Sequence, residues 1–375
     1  MRVQRHAEIA GAGFAGLTAA CALAQRGWRV RVHERSDQLR TTGAGIYVYE
    51  NGLRVLQAIG AYEAAVAGAP TAHTREVRDD QNRTISVHRW QGSRVFSIVR
   101  QRIINALGEV AIRAGVDIVF NSEVIGAEAS GQLLLASGQR LKADLVIGAD
   151  GVNSSVRDAL GLVSKRKRLI DGATRLLIEK TPEERAASEQ GATTIEYWSG
   201  SRRVLYTPCS EKDVYIALTM LNSDAVATAV PINKGAWKRW FPHLEALFDR
   251  IGSQGRYDPF ELIRLKRWSA GRVAVIGDAA HALPPNIGQG GGCAMMNGLA
   301  LSVYLDRTAD VPAALAAWEA AERPLTDHTQ RISVLLGLPT TWPPKLRVLA
   351  FKLAARSKWL MHQRTRMVYH QPTGT

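Results

Sequence analysis

Three glycines, Gly11, Gly13 and Gly16, stand between a short apolar run and the helical composition of LTAACALAQRG, and the alternating run WRVRVHER then ends on Glu34 and Arg35. The order is strand, turn, helix, strand. In the spacing GxGxxG the first glycine permits a tight turn, the second lets backbone approach a pyrophosphate, and the third lets helix and strand pack closely. A helix opening at Phe14 and Ala15 faces phosphates with unpaired N–H groups and the positive end of its dipole. A carboxylate closing the second strand can accept both ribose hydroxyls. The chemistry is dinucleotide binding, and the motif alone serves NAD and FAD equally.

Two later segments bear on that choice. In LKADLVIGADGVNSSVRDAL an apolar strand runs into Asp150-Gly151 and a helix that opens with serines. In GRVAVIGDAAHALPPNIGQGGGCAMMNGLAL another strand ends at Gly277-Asp278, followed by a proline loop and a glycine cluster, Gly288, Gly290 and Gly291, that opens a helix. Backbone N–H groups at Gly290 and Gly291, at a helix start, can face negative charge. Pro284 and Pro285 stiffen the preceding loop and offer no N–H donors, which suits a wall from which protons must be kept away. His281 reads as a packed, structural histidine, and no Ser-His-Asp or Cys-His arrangement is present in the sequence.

With these segments in this order, the chain resembles the single-component FAD-dependent aromatic hydroxylases, the group of para-hydroxybenzoate and salicylate hydroxylases, over essentially its whole length to about residue 330. The resemblance implies resident FAD. Gly11, Gly13, Phe14, Ala15, Gly16, Glu34 and Arg35 would hold its ADP half, Asp150 and Gly151 would lie beside the pyrophosphate, and Gly277 and Asp278 would meet the ribityl chain. Arg100, which opens RQRIINALGEVAIRAG, would reach the phosphate and ribityl region, and Gly43, Ala44 and Gly45 of TTGAGI would pass beside the isoalloxazine with Gly288, Gly290 and Gly291 at its edge. The chain departs from the usual helix motif: Gly292, Met296 and Asn297 stand where an asparagine, a glutamate and an aspartate are expected. This GCAMMN form, with NGLRVL, RVLYTPC and VYIAL, is similar to the subgroup of 2-methyl-3-hydroxypyridine-5-carboxylic acid oxygenase. That likeness implies Arg203 and Tyr215 as substrate contacts, the arginine clamping a carboxylate and the tyrosine bonding a ring oxygen. As residues alone, both read equally as members of a sheet. A third tyrosine of that subgroup has no counterpart in HTREVRDDQ.

The implied activity is a monooxygenase that uses NADH or NADPH and O2 to hydroxylate a small aromatic or N-heteroaromatic ring, hydroxylated and carboxylated, through a flavin C4a-hydroperoxide. Pro284, Pro285 and Tyr215 are the candidate catalytic residues, and ring opening or substituent loss stays open. The rival reading is an FAD-dependent reductase or epoxidase acting on an isoprenoid or other lipid.

The 375 residues, 46% of them apolar, can bury a sizeable core. The formal charge of +14 is concentrated late, with no Asp or Glu after Asp327. Leu346, Leu349, Leu353 and Leu360 fall near helical spacing there, so a closing helix should pack its leucines on the body and show a basic face to water. SKRKR, 164–168, reads as a solvated loop without interleaved aromatics, so no nucleic-acid partner is expected. Cys21, Cys209 and Cys293 read as buried free thiols with no metal. No stable membrane insertion is expected, and a cytoplasmic monomer or homodimer fits. The fold class expected is α/β: a doubly wound, glutathione-reductase-like FAD-binding domain from 1–72, 97–165 and 266–330. A mostly antiparallel sheet from 73–96 and 166–265 would hold substrate, and basic helices in 331–375 would end in a frayed HQPTGT.

Overall fold

The computed structural model describes residues 4–39, 44–90, 92–189 and 192–375. His6–Ala10 carries Ala7, Ile9 and Ala10 fully buried, as befits a strand covered on both faces. It pairs in parallel with Arg29–His33 and Leu145–Gly148, at the centre of a six-stranded sheet that Val273–Val275 and Asp117–Val119 extend and antiparallel Ser269–Ala270 edges. The helices Phe14–Ala24 and Gly290–Arg307 cross at Gly298, where a Cβ would lie 3.0 Å from the Ala15 carbonyl oxygen. Small residues there let the two N-termini that matter for the cleft lie side by side.

A seven-stranded, mostly antiparallel sheet forms the second layer, in the order Tyr257–Leu265, Val163–Glu179, Asp213–Leu221, Arg202–Pro208, Ala192–Ser199, Ala72–Asp79, Thr84–Arg89. Period-two alternation divides its residues. Val204, Val214, Ile216 and Leu218 turn to a buried core with Trp237, Phe241 and Phe248. The opposite face carries two cross-strand rows, Glu196–Leu205–Ala217–Arg175 and Trp198–Arg203–Thr219–Ala173, which look toward the first layer. The α/β class with a doubly wound sheet and a second antiparallel one is as the sequence implied.

The basic run is not a loop. Ser164–Arg168 belongs to the strand Val163–Glu179 and pairs with Tyr257–Leu265, and Arg166 donates to Glu261 at 2.8 Å and to Asn153 at 2.6 Å. The terminal helices, Pro344–Arg356 and Lys358–Thr365, also differ from expectation. Leu346, Leu349 and Leu353 are more than half exposed, while Arg347 is buried, over the Trp198 ring and donating to the Gly200 carbonyl. The arginine decides which face turns inward. Nor is the end frayed: Thr373 donates to Glu322 at 2.7 Å, and a Cβ on Gly374 would meet Val303 at 2.8 Å. The three cysteines are buried free thiols, and no helix among the described residues is long and apolar enough to cross a membrane.

Candidate functional site

The cleft starts where the first strand ends. Gly11 has φ +96°, and a Cβ on it would lie 2.5 Å from the Ala149 carbonyl oxygen; one on Gly16 would lie 2.0 Å from that of Gly11. Gly13 and Gly151 are different, because a Cβ on either would meet no protein atom within 4 Å. Gly13 thus leaves space for a ligand rather than for the fold, whereas Gly151, at φ +83°, also meets a backbone demand. The Phe14–Ala24 helix begins at Gly13 with no side-chain cap and no acid in its first turn, so its N–H groups and dipole remain available to an anion. Glu34 is held at the strand end by the N–H groups of Ala12 at 3.0 Å and Ser36 at 2.9 Å. Arg35 beside it is exposed.

Further along, Gly277, at φ +64°, sits on Ala15, where a Cβ would lie 2.8 Å from the alanine's own, and this places Asp278 at the head of a short helix in the cleft. Asp278 is open to the cleft, and the protein enclosing it on the other sides raises its pKa against the pull of Arg100 and Arg175. Arg100, in turn, is lowered by burial and by Arg175. Its backbone N–H donates to the Ala44 carbonyl at 3.0 Å, its guanidinium lies over the Phe14 ring, and its Nε has no hydrogen-bond partner among the described residues. Asp150 Oδ2 accepts from the Val156 N–H at 3.2 Å, while Oδ1 likewise has no hydrogen-bond partner among the described residues. Orphaned groups of both signs, a bare helix start and glycines opening on empty space fit a dinucleotide with a pyrophosphate and a polyol arm. Gly43 lies outside the described residues.

The Gly290–Arg307 helix meets the cleft with its N-terminus. A Cβ at Gly290 would meet open space, and one at Gly291 would lie 2.7 Å from Ile46. Behind them Asn51, fully buried, donates to Gln289 Oε1 at 3.0 Å and to Met296 Sδ at 3.1 Å, in room that Gly292 leaves. Asn297 donates to His281 Nε2 at 3.0 Å and to Thr326 at 3.2 Å. The substitutions that depart from the family motif thus form their own polar lock. Burial holds the His281 pKa down to about 4, so the ring is neutral and structural.

Between the two layers lies a chamber of about 760 Å³, counting its open mouth. Pro285, Ile287 and Gly288 line one side, and the sheet rows line the other. Pro284 is buried behind this wall, its carbonyl accepting from Ser333. Tyr215 joins chamber and cleft, because a Cβ on Gly45 would lie 2.6 Å from the tyrosine's Cβ, and Ala44 packs in the same small cluster. Its hydroxyl has no hydrogen-bond partner among the described residues. Tyr47 differs: its hydroxyl bonds Thr194 at 3.0 Å and also Thr207.

Arg203 is also at the wall, but its charge is already answered. It donates to Asp171 at 3.1 Å and to Asn286 at 3.1 Å, lies 3.6 Å from Glu196, and stacks over Trp198. Burial keeps the Asp171 pKa raised in spite of Arg203. Arg75 pairs with the other oxygen of Glu196. Arg364, from the last helix, lines the chamber without an ion pair among the described residues, and burial together with Arg75 lowers its pKa to about 10. Glu196 and Arg75 could have been suspected from the alternation of their strands. Arg364 has no local signal, because only the folding back of the chain's end brings it here.

The comparisons with known proteins agree with this geometry. The family model described as FAD binding domain matches residues 5–309. A 2-heptyl-3-hydroxy-4(1H)-quinolone synthase of Mycobacteroides abscessus is 42% identical over 91% of this chain and 92% of its own length. An FAD-dependent urate hydroxylase of Mycolicibacterium vanbaalenii is 30% identical over 84% and 83%. The C294A mutant of 2-methyl-3-hydroxypyridine-5-carboxylic acid oxygenase superposes with a TM-score of 0.87 at 38% identity, covering 99% of this chain and 98% of that one. The cleft, the chamber beside it and these likenesses agree: the chain belongs to the FAD binding domain family and is a flavoprotein aromatic-ring monooxygenase.

Proposed function

We propose that the protein uses NAD(P)H and O2 to hydroxylate a neutral N-heteroaromatic ring of the 2-alkyl-4-quinolone type. The observation that carries this reading is the state of the two candidate substrate residues: Tyr215 presents a free hydroxyl to the chamber, whereas Arg203 is engaged by Asp171, Glu196 and Asn286. A carboxylated ring would have to compete with two internal carboxylates for Arg203, and desolvating its own charge would add to the cost. A neutral ring with an oxo or hydroxyl group needs only a hydrogen bond and a cation nearby, which Tyr215 and Arg364 supply. The quinolone synthase likeness supports the same choice over the pyridine carboxylic acid.

FAD, when bound, takes up electrons from the nicotinamide and activates O2 for transfer of one oxygen atom to the ring. The residues that would hold it are Gly11, Gly13, Gly16 and Glu34 at the ADP end, Asp150, Gly151, Arg100 and Asp278 along the middle, and Ala44, Gly45, Gly288, Gly290 and Gly291 at the ring. The N–H groups of Gly290 and Gly291, at a helix start, stabilise negative charge placed there. Pro285 excludes water without donating a proton. Tyr215, fixed by its packing on Gly45, orients the substrate, since precise placement within about 3 to 3.5 Å of the reacting oxygen is the larger part of what a protein adds here.

The test is to purify the yellow protein, add 2-alkyl-4-quinolones or hydroxypyridine carboxylates, and follow NADH and NADPH oxidation together with product mass. Quinolone-stimulated oxidation with gain of one oxygen atom is expected. Stimulation by the carboxylates alone, or oxidation that yields only hydrogen peroxide with every ring, overturns the reading.

A further inference from the structure

We infer that the space beneath the two terminal helices is a second chamber of the substrate site, which takes the alkyl arm of the ring substrate and sets the accepted chain length. The inference rests on the ring-hydroxylase reading above. The space measures about 820 Å³ with its opening and is walled by Val77, Val87, Trp198, Phe351, Leu360 and Met361. It adjoins the ring chamber across a shared wall, because Arg75, Glu196, Arg203, Asn286 and Arg364 line both, and the alkyl arm would pass between these side chains. Those polar groups form a rim between the chambers, and they largely satisfy one another, with Arg75 on Glu196 and Arg203 on Asp171 and Asn286. Past the rim the lining is chiefly aromatic and branched aliphatic.

The terminal helices explain why the space is hollow. Their bulky leucines, Leu346, Leu349 and Leu353, point to solvent, whereas Ala354 and Ala355 line the chamber beside Phe351. Between Phe351, Leu360 and Met361, the small side chains of Ala354 and the partly exposed Ala355 leave volume in this roof that larger ones would have filled. His88, in the same wall, is held neutral near pH 7, since burial followed by Arg364 and Arg75 lowers its pKa to about 4. An unbranched hydrocarbon arm therefore meets no uncompensated charge beyond the rim, and a ring heteroatom stays at it.

The experiment measures the affinity of the FAD-loaded protein, without NAD(P)H, for 4-quinolones bearing methyl, propyl, pentyl and heptyl groups at the 2-position, by calorimetry. Each buried methylene should tighten binding about fourfold, so over the six added methylenes the heptyl compound should bind roughly four-thousandfold tighter than the methyl one. Ala354→Trp, which fills the roof, should cut that heptyl-to-methyl ratio at least tenfold; if this variant does not fold, Ala355→Trp provides the same reading. Affinity that is indifferent to chain length, with the ring still bound, overturns the chamber and leaves the ring reading standing. A chain-length effect untouched in a folded roof variant also overturns the assignment to this space. Failure of every quinolone, the methyl one included, to bind removes the ring reading and the chamber with it.

Discussion

Around Gly11, Gly13 and Gly151 the chain gives up side chains, whereas across the ring chamber it buries charged ones, Arg75, Glu196, Arg203 and Asp171. The first region is a mould: backbone N–H groups, a helix dipole and a few orphaned polar atoms await one rigid partner. The second is largely self-satisfied, and its polar groups set the shape of the space more than they supply contacts. A site for a resident cofactor can be left incomplete, because the cofactor finishes it. A site that is emptied at each turnover must be stable without its ligand, and burying paired charges is one way to hold an open cavity in a defined shape.

The sharpest test of this contrast is at Gly13. A Cβ there meets no protein atom, so Gly13→Val should leave the apoprotein folded while occupying the space that a dinucleotide backbone needs. The expected outcome is an unchanged apoprotein melting temperature with FAD affinity weakened by roughly a hundredfold or more, read from the flavin-to-protein absorbance ratio and reconstitution titrations. Gly16→Val is the control on the other side, because its Cβ would lie 2.0 Å from the Gly11 carbonyl oxygen and so break strand and helix packing itself. Equal damage to folding in both variants would erase the distinction between space kept for the ligand and space kept for the fold.

The chamber should respond in the opposite way. Arg203→Ala leaves Asp171 buried without its partner and Glu196 with Arg75 alone, which should cost about 3 to 5 kcal/mol of stability even without substrate. The cost has a pH signature. Asp171 already has its pKa raised by burial, and losing Arg203 removes the charge that pulls it down. Between the unfolded value of 3.8 and the raised folded one, the folded state holds more protons than the unfolded state, so stability falls as pH rises through that window. The variant's deficit in denaturant unfolding should accordingly be larger at pH 8 than near pH 5. A variant as stable as the parent but with a raised KM would restore Arg203 as a dedicated substrate clamp.

The same contrast explains what could be read from the sequence. The cleft was legible because each of its segments is a contiguous strand–turn–helix whose glycines meet a steric demand within a few residues. The chamber was only half legible: Arg203 and Tyr215 came from likeness, but their partners Asp171, Glu196 and Asn286 come from separate strands and a loop, joined only by sheet register. Helical periodicity in the tail located an amphipathic helix without saying which face turns in. Arg347 reversed the expectation by finding the Gly200 carbonyl and the Trp198 ring. SKRKR looked like a loop because basic residues are poor evidence for a strand, yet Tyr257–Leu265 needed a neighbour, and Glu261 met Arg166.

The smallest expected effect falls on Tyr215, where cleft and chamber meet. Its ring fills the space above Gly45, so Tyr215→Phe keeps the packing and removes only the hydroxyl. Because that hydroxyl has no partner among the described residues, deleting it orphans no protein group and should leave the melting temperature and flavin content unchanged. What it removes is one hydrogen bond to a neutral substrate, worth about 1 kcal/mol, so kcat/KM should fall roughly fivefold. The division of that loss is informative: a higher KM with kcat intact would mean that the bond is equally strong in ground and transition states, and a lower kcat that it strengthens as the ring is attacked. A loss of flavin would instead place Tyr215 in the mould rather than in the chamber, and would move the boundary between the two regions to the far side of its ring.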